Sequence, residues 1–345
     1  MNTDYKHILI KTPNWLGDAV MSLPVLKAVR YLFPESRIAV LSRSNLAELF
    51  KYERAIDDII PYEDAKGLKK IGAEIKLIKH LKNKRFDLVI ILPRSFHSAL
   101  VSFLTKITHR VGYASEGRGG LLTQSLPRTK EILTQHRVYY FLNLLSVWSA
   151  NKPVPFSAPQ ITTSPEEEKW ATGQIKKAIA SGAEYFIAIN PGATYGDAKC
   201  WPTERFVELS KKLLDKYSGL HIVIIGGPNE AKLGNLISRQ IDSNRVIDFT
   251  GQTSILQLTA LLKKCKLLVT NDTGPMHVSA AVGTPVAAIF GPTDTSTTGP
   301  FGNGHSIICK KAACAPCLKR SCPTDHKCMR LITVEEVFQV CKKYL

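Results

Sequence analysis

Short runs of hydrophobic residues alternate with longer amphipathic stretches along most of the chain. In the first half the runs lie at residues 7–11 (HILIK), 37–41 (RIAVL) and 86–92 (FDLVIIL), and helix-like apolar spacing covers residues 18–33. The run at 86–92 is almost continuous, which is typical of a strand buried on both faces of a parallel sheet. Strands that alternate with helices predict an α/β fold in which helices cover both faces of such a sheet.

The alternation stops at residues 151–165 (NKPVPFSAPQITTSP), where four prolines stand among few helix-forming residues. This composition predicts an interdomain linker. Further strand-like runs then follow at 185–190 (YFIAIN), 221–226 (HIVIIG), 267–270 (LLVT) and 286–290 (VAAIF). We therefore predict two doubly wound, Rossmann-like domains, residues 1–160 and 161–330, that face each other across a cleft. An amphipathic helix in residues 331–345, with Thr333 as its N-cap, is expected to pack back on the first domain.

The chain is strongly basic, with 46 lysines and arginines against 29 acidic residues and a net charge of +17. Such an excess is typical of a protein that meets nucleic acid, an anionic lipid surface or a phosphorylated substrate, although a lysine-rich surface alone would look the same. No arginine-rich tail or RNA-binding motif accompanies the charge, which disfavours nucleic acid. No apolar run reaches the ~18 residues of a membrane-spanning helix. The N-terminus also lacks the apolar core of a signal peptide, so a cytoplasmic protein is expected.

The loop after the first predicted strand reads TPNWLGD and ends at Asp18, where the next helix begins. An aspartate at this position commonly caps a helix. It could also remove a proton from an acceptor hydroxyl at the mouth of a cleft. The residues alone leave both interpretations open.

Three loops of the second half could bind a nucleotide, although neither a G-x-G-x-x-G fingerprint nor a Walker loop is present. The segment 271–277 (NDTGPMH) predicts a helix N-terminus after a strand, where free N–H groups suit a phosphate. The segment 191–194 (PGAT) and the following Lys199 could clamp a diphosphate, unless Lys199 is an ordinary surface lysine. The segment 226–230 (GGPNE) could present a carboxylate to ribose hydroxyls.

Five segments in order resemble the ADP-heptose:lipopolysaccharide heptosyltransferases, glycosyltransferase family 9. They read NWLGDAVMSLP, INPGATYGDAKCWPTERF, GGPNE, TGQTSILQLTALL and NDTGPMHVSAAVGTPVAAIFGPT, and they extend from about residue 8 to about residue 330. The resemblance implies a GT-B fold, with the acceptor bound by the first domain and the nucleotide-sugar by the second. It further implies inverting heptose transfer to the lipopolysaccharide inner core without a divalent metal, as in the branch that adds the second heptose onto the first.

The same resemblance assigns roles to individual residues. Asp18 matches the general base, and Lys199 matches a residue that stabilises the leaving diphosphate. The donor-site residues that it implies are Thr194, Lys199, Glu230, Leu256, Asp272, Thr273, Gly274 and His277. Of these, Glu230 would contact the ribose and Leu256 would lie near the adenine, whereas His277 taken alone would more often be a core histidine.

The partners that the resemblance implies are ADP-heptose, a lipid A–Kdo–heptose acceptor and the anionic inner face of the inner membrane. It requires no cofactor. The basic residues that we consider for the acceptor or the membrane are Lys82, Lys84, Arg94, Arg110, Arg118 and Arg128. Alternatives are another GT-B glycosyltransferase with a different nucleotide-sugar or acceptor, and a non-catalytic protein that binds such ligands.

Five of the eight cysteines crowd into residues 309–328. In the reducing cytosol such a cluster is more typical of free thiols or a metal site than of disulfides. A structural zinc site would use Cys314, Cys317, Cys322 and Cys328, although their spacing departs from paired C-x₂-C motifs. Free thiols, zinc and disulfides therefore all remain open.

Overall fold

The computed structural model describes residues 4–64, 67–148, 153–180 and 182–345. Residues 151 and 152, at the start of the predicted linker, lie outside this part of the chain. Contacts divide the chain into two compact units, residues 1–160 and 161–345. Among the described helices, none is long and apolar enough to cross a bilayer.

The first unit contains a parallel sheet of six described strands in the order β3-β2-β1-β4-β5-β6. The strands are β1 (His7–Lys11), β2 (Arg37–Arg43), β3 (Asp58–Tyr62), β4 (Leu88–Ile91), β5 (His109–Tyr113) and β6 (Gln124–Leu126). The helices are α1 (Leu16–Met21), α2 (Leu23–Leu32), α3 (Ser44–Ala47), α4 (Leu68–Lys84), α5 (Phe96–Leu104), α6 (Lys130–Thr134) and α7 (Arg137–Leu142).

The central strands of this sheet are its most apolar ones. In β1, Ile8 pairs with Ile38 of β2 on one side and with Leu88 of β4 on the other. All three side chains are fully buried. Successive side chains of a strand point to opposite faces, and Ile8, Leu9 and Ile10 are all buried, so burial on both faces explains the continuous apolar runs at 7–11 and 86–92.

The second unit contains a parallel sheet of six described strands in the order β12-β11-β10-β7-β8-β9. The strands are β7 (Tyr185–Asn190), β8 (Leu220–Ile224), β9 (Val246–Asp248), β10 (Cys265–Asn271), β11 (Val286–Phe290) and β12 (Ser306–Cys309). The helices are α8 (Pro165–Ala180), α9 (Thr203–Lys216), α10 (Ala231–Ile241), α11 (Ile255–Leu262), α12 (Gly274–Ala281), α13 (Thr295–Thr298), α14 (Lys327–Arg330) and α15 (Val334–Cys341).

The C-terminal helix α15 begins as predicted but packs elsewhere. Thr333 and Glu336 form a reciprocal capping box, in which each side chain accepts a backbone N–H of the other residue. Val337 and Phe338 then enter the apolar core of the second unit, where α15 packs against α9. The expectation that this helix covers the first domain is therefore corrected, because its apolar face is buried within the second unit.

Candidate active site

The predicted donor-site loops of the second unit share one edge of its sheet. Strands β10, β7 and β8 are neighbours and run in parallel, so their carboxyl ends meet at the same side. The loops that begin at residues 191, 226 and 272 leave from this edge. In doubly wound folds this is the edge where ligands bind.

Asn271, the last residue of β10, joins two of these loops. Its buried side-chain Nδ2 donates to the carbonyl oxygen of Pro191 at 2.7 Å, and its Oδ1 accepts the N–H of Trp201 at 3.0 Å. One amide thus satisfies backbone groups at both ends of the segment 191–201. Because an unsatisfied buried polar group is costly, this arrangement holds the segment in one conformation.

Lys199 lies within that segment and forms an ion pair with Asp272. The Lys199 Nζ lies 2.5 Å from Asp272 Oδ2, and Thr293 Oγ1 donates to the same carboxylate oxygen at 2.7 Å. The side chains of Lys199 and Asp272 are 12% and 5% exposed. The buried Asp272 carboxylate offers little surface to a ligand. We therefore infer that Asp272 orients the Lys199 ammonium group, whose side chain is the more exposed of the two.

The pair stands at the start of α12. Thr273 precedes this helix in an extended conformation and its side chain does not cap it. The positive end of the helix dipole and the Lys199 ammonium group therefore lie on the same side of the sheet, an arrangement that favours a phosphate. His277, one turn into the helix, is buried.

The Glu230 side chain packs directly against the backbone of Gly192. A Cβ atom at Gly192 would overlap the Glu230 carboxylate, so only glycine admits it. Glu230 Oε2 accepts the N–H of Gly227 at 2.7 Å. Burial raises the pKa of the Glu230 carboxyl, and the hydrogen bond from Gly227 acts in the opposite direction. The carboxylate lies between the 191 and 226 loops, and its contact with a ribose stays a prediction.

The two remaining donor-site residues differ in exposure. Thr194 is exposed on the 191–201 segment. Leu256 is 2% exposed in the first turn of α11. Its side chain packs in the core, and its predicted place beside an adenine ring stays a prediction.

In the first unit, Asp18 stands half-buried in the first turn of α1. The loop before it is anchored by Lys11, a residue that the sequence analysis passed over. Lys11 Nζ is buried and donates to Tyr62 Oη at 2.7 Å, and Tyr62 Oη donates to Asn14 Oδ1 at 2.8 Å. Burial lowers the pKa of Lys11 to about 7. A lysine that ends an otherwise apolar strand is the signal that could have identified it.

Comparison with known proteins places the chain in a family. The sequence model described as glycosyltransferase family 9 (heptosyltransferase) matches residues 74–328. The chain belongs to this family. Lipopolysaccharide heptosyltransferase 2 of Escherichia coli K12 is 30% identical over 308 residues, which cover 87% of each chain. Lipooligosaccharide heptosyltransferase 2 of Haemophilus influenzae is 28% identical over 311 residues, which cover 88% of each.

Solved structures agree with this assignment. The structure of E. coli ADP-heptose lps heptosyltransferase II superposes with a TM-score of 0.81, at 28% identity and over 98% of both chains. The structure of E. coli heptosyltransferase WaaC with ADP superposes with a TM-score of 0.70 at 21% identity, and this similarity supports the fold alone. The predicted GT-B fold and glycosyltransferase class of this family 9 protein are therefore confirmed.

Two of the basic residues that we considered for the acceptor or the membrane, Arg110 and Arg118, have a structural role in this family 9 glycosyltransferase. Arg118 is fully buried, and its guanidinium group donates to the carbonyl oxygens of Tyr113, Pro93 and Ser95. Arg110 donates to the carbonyl oxygen of Leu121 at 2.7 Å. Both arginines thus satisfy backbone carbonyls within the first unit.

The cysteine cluster extends from Cys309, the last residue of β12, to Cys328 in α14, and the stretch between these elements contains little regular structure. All eight cysteines belong to the described residues, and no disulfide joins them. Cys328 is buried, and burial together with the neighbouring Cys314 raises the pKa of its thiol. Across the described ranges, no group of three or more histidine, cysteine or acidic side chains is arranged to hold a metal ion. The structural zinc site stays a prediction.

Replacing Lys199 by alanine should lower turnover about 10²–10³-fold, the usual loss when one preorganised donor to a developing negative charge is removed. It should also weaken ADP binding. Steady-state kinetics and calorimetry measure the two effects. Lys212→Ala, which removes an exposed lysine paired with Glu335 in the same unit, is the matched control. Equal kinetics for the two variants would remove Lys199 from the site.

Metal analysis of the purified protein tests the cysteine cluster. A zinc site predicts about one equivalent of zinc per chain, which the replacement of Cys317 and Cys322 by serine should abolish. Free thiols predict no stoichiometric metal and eight thiols that react with a thiol reagent after unfolding. A metal content far below one equivalent would exclude the zinc interpretation.

Proposed function

We propose that this protein transfers a heptose from ADP-heptose to the inner core of lipopolysaccharide, where it adds the second heptose onto the first. Family membership and the relatives in E. coli and H. influenzae, both heptosyltransferases 2, support this proposal. The donor named for the E. coli structure is ADP-heptose. The acceptor in our proposal is a lipid A–Kdo–heptose saccharide.

The observation that carries the proposal is the ion pair of Lys199 and Asp272 at the start of α12. A nucleotide-sugar reacts by losing a nucleoside diphosphate, on which negative charge grows in the transition state. In our proposal Lys199, Thr194 and the N–H groups that follow Thr273 bind this diphosphate and stabilise that charge. Gly274 lets the diphosphate approach the backbone closely. Since these groups supply the positive charge, the reaction that we propose needs no divalent metal.

The rest of the donor lies along the same sheet edge in this proposal. Glu230 accepts hydrogen bonds from the ribose hydroxyls, and the segment around Leu256 borders the adenine. Asp272 keeps the Lys199 ammonium group in place, and buried His277 supports the first turn of α12. Both act through positioning.

Asp18 acts as the general base in this reaction. The acceptor hydroxyl oxygen forms a bond to the anomeric carbon while Asp18 takes its proton, and the bond from that carbon to the diphosphate oxygen breaks. Because the acceptor attacks the face opposite to the departing ADP, the configuration at the anomeric carbon inverts. The triangle of Lys11, Tyr62 and Asn14 fixes the loop that leads to Asp18.

The proposal also includes peripheral contact with an anionic membrane surface. The acceptor is anchored in a membrane, and the chain carries a net charge of +17. Basic side chains near an anionic surface each contribute about 1 kcal/mol. Exposed lysines such as Lys82 and Lys84 on α4 are suited to this contact.

Transfer of heptose by the purified protein, with EDTA present, tests the proposal directly. Asp18→Asn should lower turnover at least about 10²-fold, because a positioned general base contributes that much or more. Its affinity for ADP should remain unchanged. Product formation from ADP-heptose and a heptose-terminated inner-core acceptor is the measurement.

Asp58→Asn removes a carboxylate of the same unit that pairs with Lys84, and it serves as the control. Asp18→Asn turnover within about tenfold of the wild type would show that Asp18 is not the base. Absence of transfer by the wild type would contradict the function itself.

A further inference from the structure

The cysteine-rich stretch, residues 310–326 between β12 and α14, contacts the candidate donor site through its backbone. The N–H of Leu318 donates to the carbonyl oxygen of Pro292 at 2.8 Å, and the carbonyl oxygen of Leu318 accepts the Tyr195 hydroxyl at 3.3 Å. Pro292 lies in the loop after β11, and Tyr195 lies in the 191–201 segment after β7. One residue of the stretch therefore connects two loops that leave the same edge of the sheet.

Arg320 makes a second connection, also with its backbone. Its carbonyl oxygen accepts the N–H of Ala198 at 3.1 Å. At Gly196 the two segments lie so close together that a Cβ atom would overlap this carbonyl oxygen. Glycine is therefore required at residue 196 if the cysteine-rich stretch is to pack against the 191–201 segment.

The two loops that the stretch connects hold the two halves of the ion pair. Lys199 directly follows Ala198 in the first loop. Thr293 directly follows Pro292 in the second loop and donates to the Asp272 carboxylate at 2.7 Å. The stretch thus supports the ammonium group and its carboxylate together. Donors that are fixed before a ligand binds lose little entropy when they engage it.

The ion pair alone leaves the charge of a diphosphate largely uncompensated. Lys199 carries one positive charge, and Asp272 offsets it at a distance of 2.5 Å. The N-terminus of α12 contributes only a partial positive charge. A nucleoside diphosphate carries more than one negative charge, and that charge grows as the group leaves. The reaction proposed above therefore favours a further cation beside the diphosphate.

The side chain of Arg320 brings a cation to this place. Its guanidinium carbon lies 5.1 Å from the centre of the Tyr195 ring, and Lys199 Nζ lies 4.9 Å from the same centre. The ring thus attracts both cationic groups and keeps them near one another. Arg320 is exposed, and no acidic side chain of the described ranges forms an ion pair with it. Its charge is therefore available to a ligand.

We propose that Arg320 binds the diphosphate of the nucleotide-sugar together with Lys199, and that the cysteine-rich stretch positions the 191–201 segment for this contact. The inference rests on the proposed function and gives the stretch a place in the donor site. A guanidinium group offers paired N–H donors to phosphate oxygens, which an ammonium group does not. Because the Arg320 backbone also binds Ala198, one residue supplies charge and orders the loop.

Calorimetric titration with ADP and with adenosine separates the contact with the diphosphate from the rest of the site. Arg320→Gln should weaken ADP binding about tenfold, the loss of one charge-assisted hydrogen bond, and should leave adenosine binding unchanged. Arg320→Lys keeps the charge and should recover part of the affinity. Lys319→Gln removes the neighbouring exposed charge and is the matched control, which should bind ADP like the wild type.

Gly196→Ala tests the packing of the stretch against the 191–201 segment. The added methyl group should separate Ala198 from Arg320 and lower both ADP affinity and turnover. In this background Arg320→Gln should cause little further loss, because the guanidinium group is already displaced. Gly173→Ala, at an exposed position of α8 with open space around it, should change neither quantity. Thermal unfolding identifies any variant that loses stability.

The outcomes separate this inference from the proposed function. Arg320→Gln that binds ADP like Lys319→Gln, or that loses affinity for ADP and adenosine equally, would overturn the inference. Heptose transfer by the wild type reports on the proposed function. If the wild type prefers UDP or GDP, the proposed donor is wrong, but the same effect of Arg320→Gln on that diphosphate still supports the inference. A wild type that binds none of the three would overturn both.

Discussion

The buried side chain of Asn271 is the interaction on which the candidate donor site depends. Strands of a doubly wound sheet bury both faces, so polar chemistry is confined to the carboxyl ends, where the chain leaves the sheet. There the loops carry little apolar surface to fix them. The Asn271 amide fixes one of them by hydrogen bonds at 2.7 and 3.0 Å to the carbonyl oxygen of Pro191 and the N–H of Trp201. Lys199 lies between these two residues and therefore reaches Asp272 in a defined geometry.

The first unit uses the same principle with different residues. Lys11, at the end of β1, is buried and bound to Tyr62 at the end of β3, and Tyr62 in turn binds Asn14. This polar triangle spans the carboxyl edge just before Asp18. In each unit a buried polar side chain at a strand end thus orders the loop that carries the residue proposed for catalysis. Loss of such a contact would affect catalysis through position, without any direct contact with the substrate.

The sequence predicted the helices and strands better than it predicted the surfaces against which they pack. Continuous apolar runs such as 86–92 identify buried strands because burial on both faces leaves no room for polar residues. The cap at Thr333 was predictable because it depends on residues three positions apart. The surface that α15 covers was predicted wrongly, since an amphipathic pattern shows that a face is buried but does not show against what.

The same limit applies to the charged residues. Arg118 and Arg128 look equivalent in the sequence, yet Arg118 is fully buried and donates to backbone carbonyls, whereas Arg128 is only half-buried. Arg137 could not be singled out from the sequence, because its electrostatic interaction with Asp18 depends on the packing of α7 against α1. Lys199, Glu230 and the α12 loop could be predicted, since they follow predicted strand ends. The contacts that these residues make with one another could not be predicted, since such contacts depend on the order of the strands in the sheet.

The most direct test of the central claim is calorimetric binding of ADP, UDP and GDP to the wild-type protein in the presence of EDTA. The claim is that residues of the second unit bind an adenosine diphosphate donor by their own charge. The account predicts that ADP binds selectively and without metal. A preference for UDP or GDP, or binding that requires a divalent ion, would contradict it.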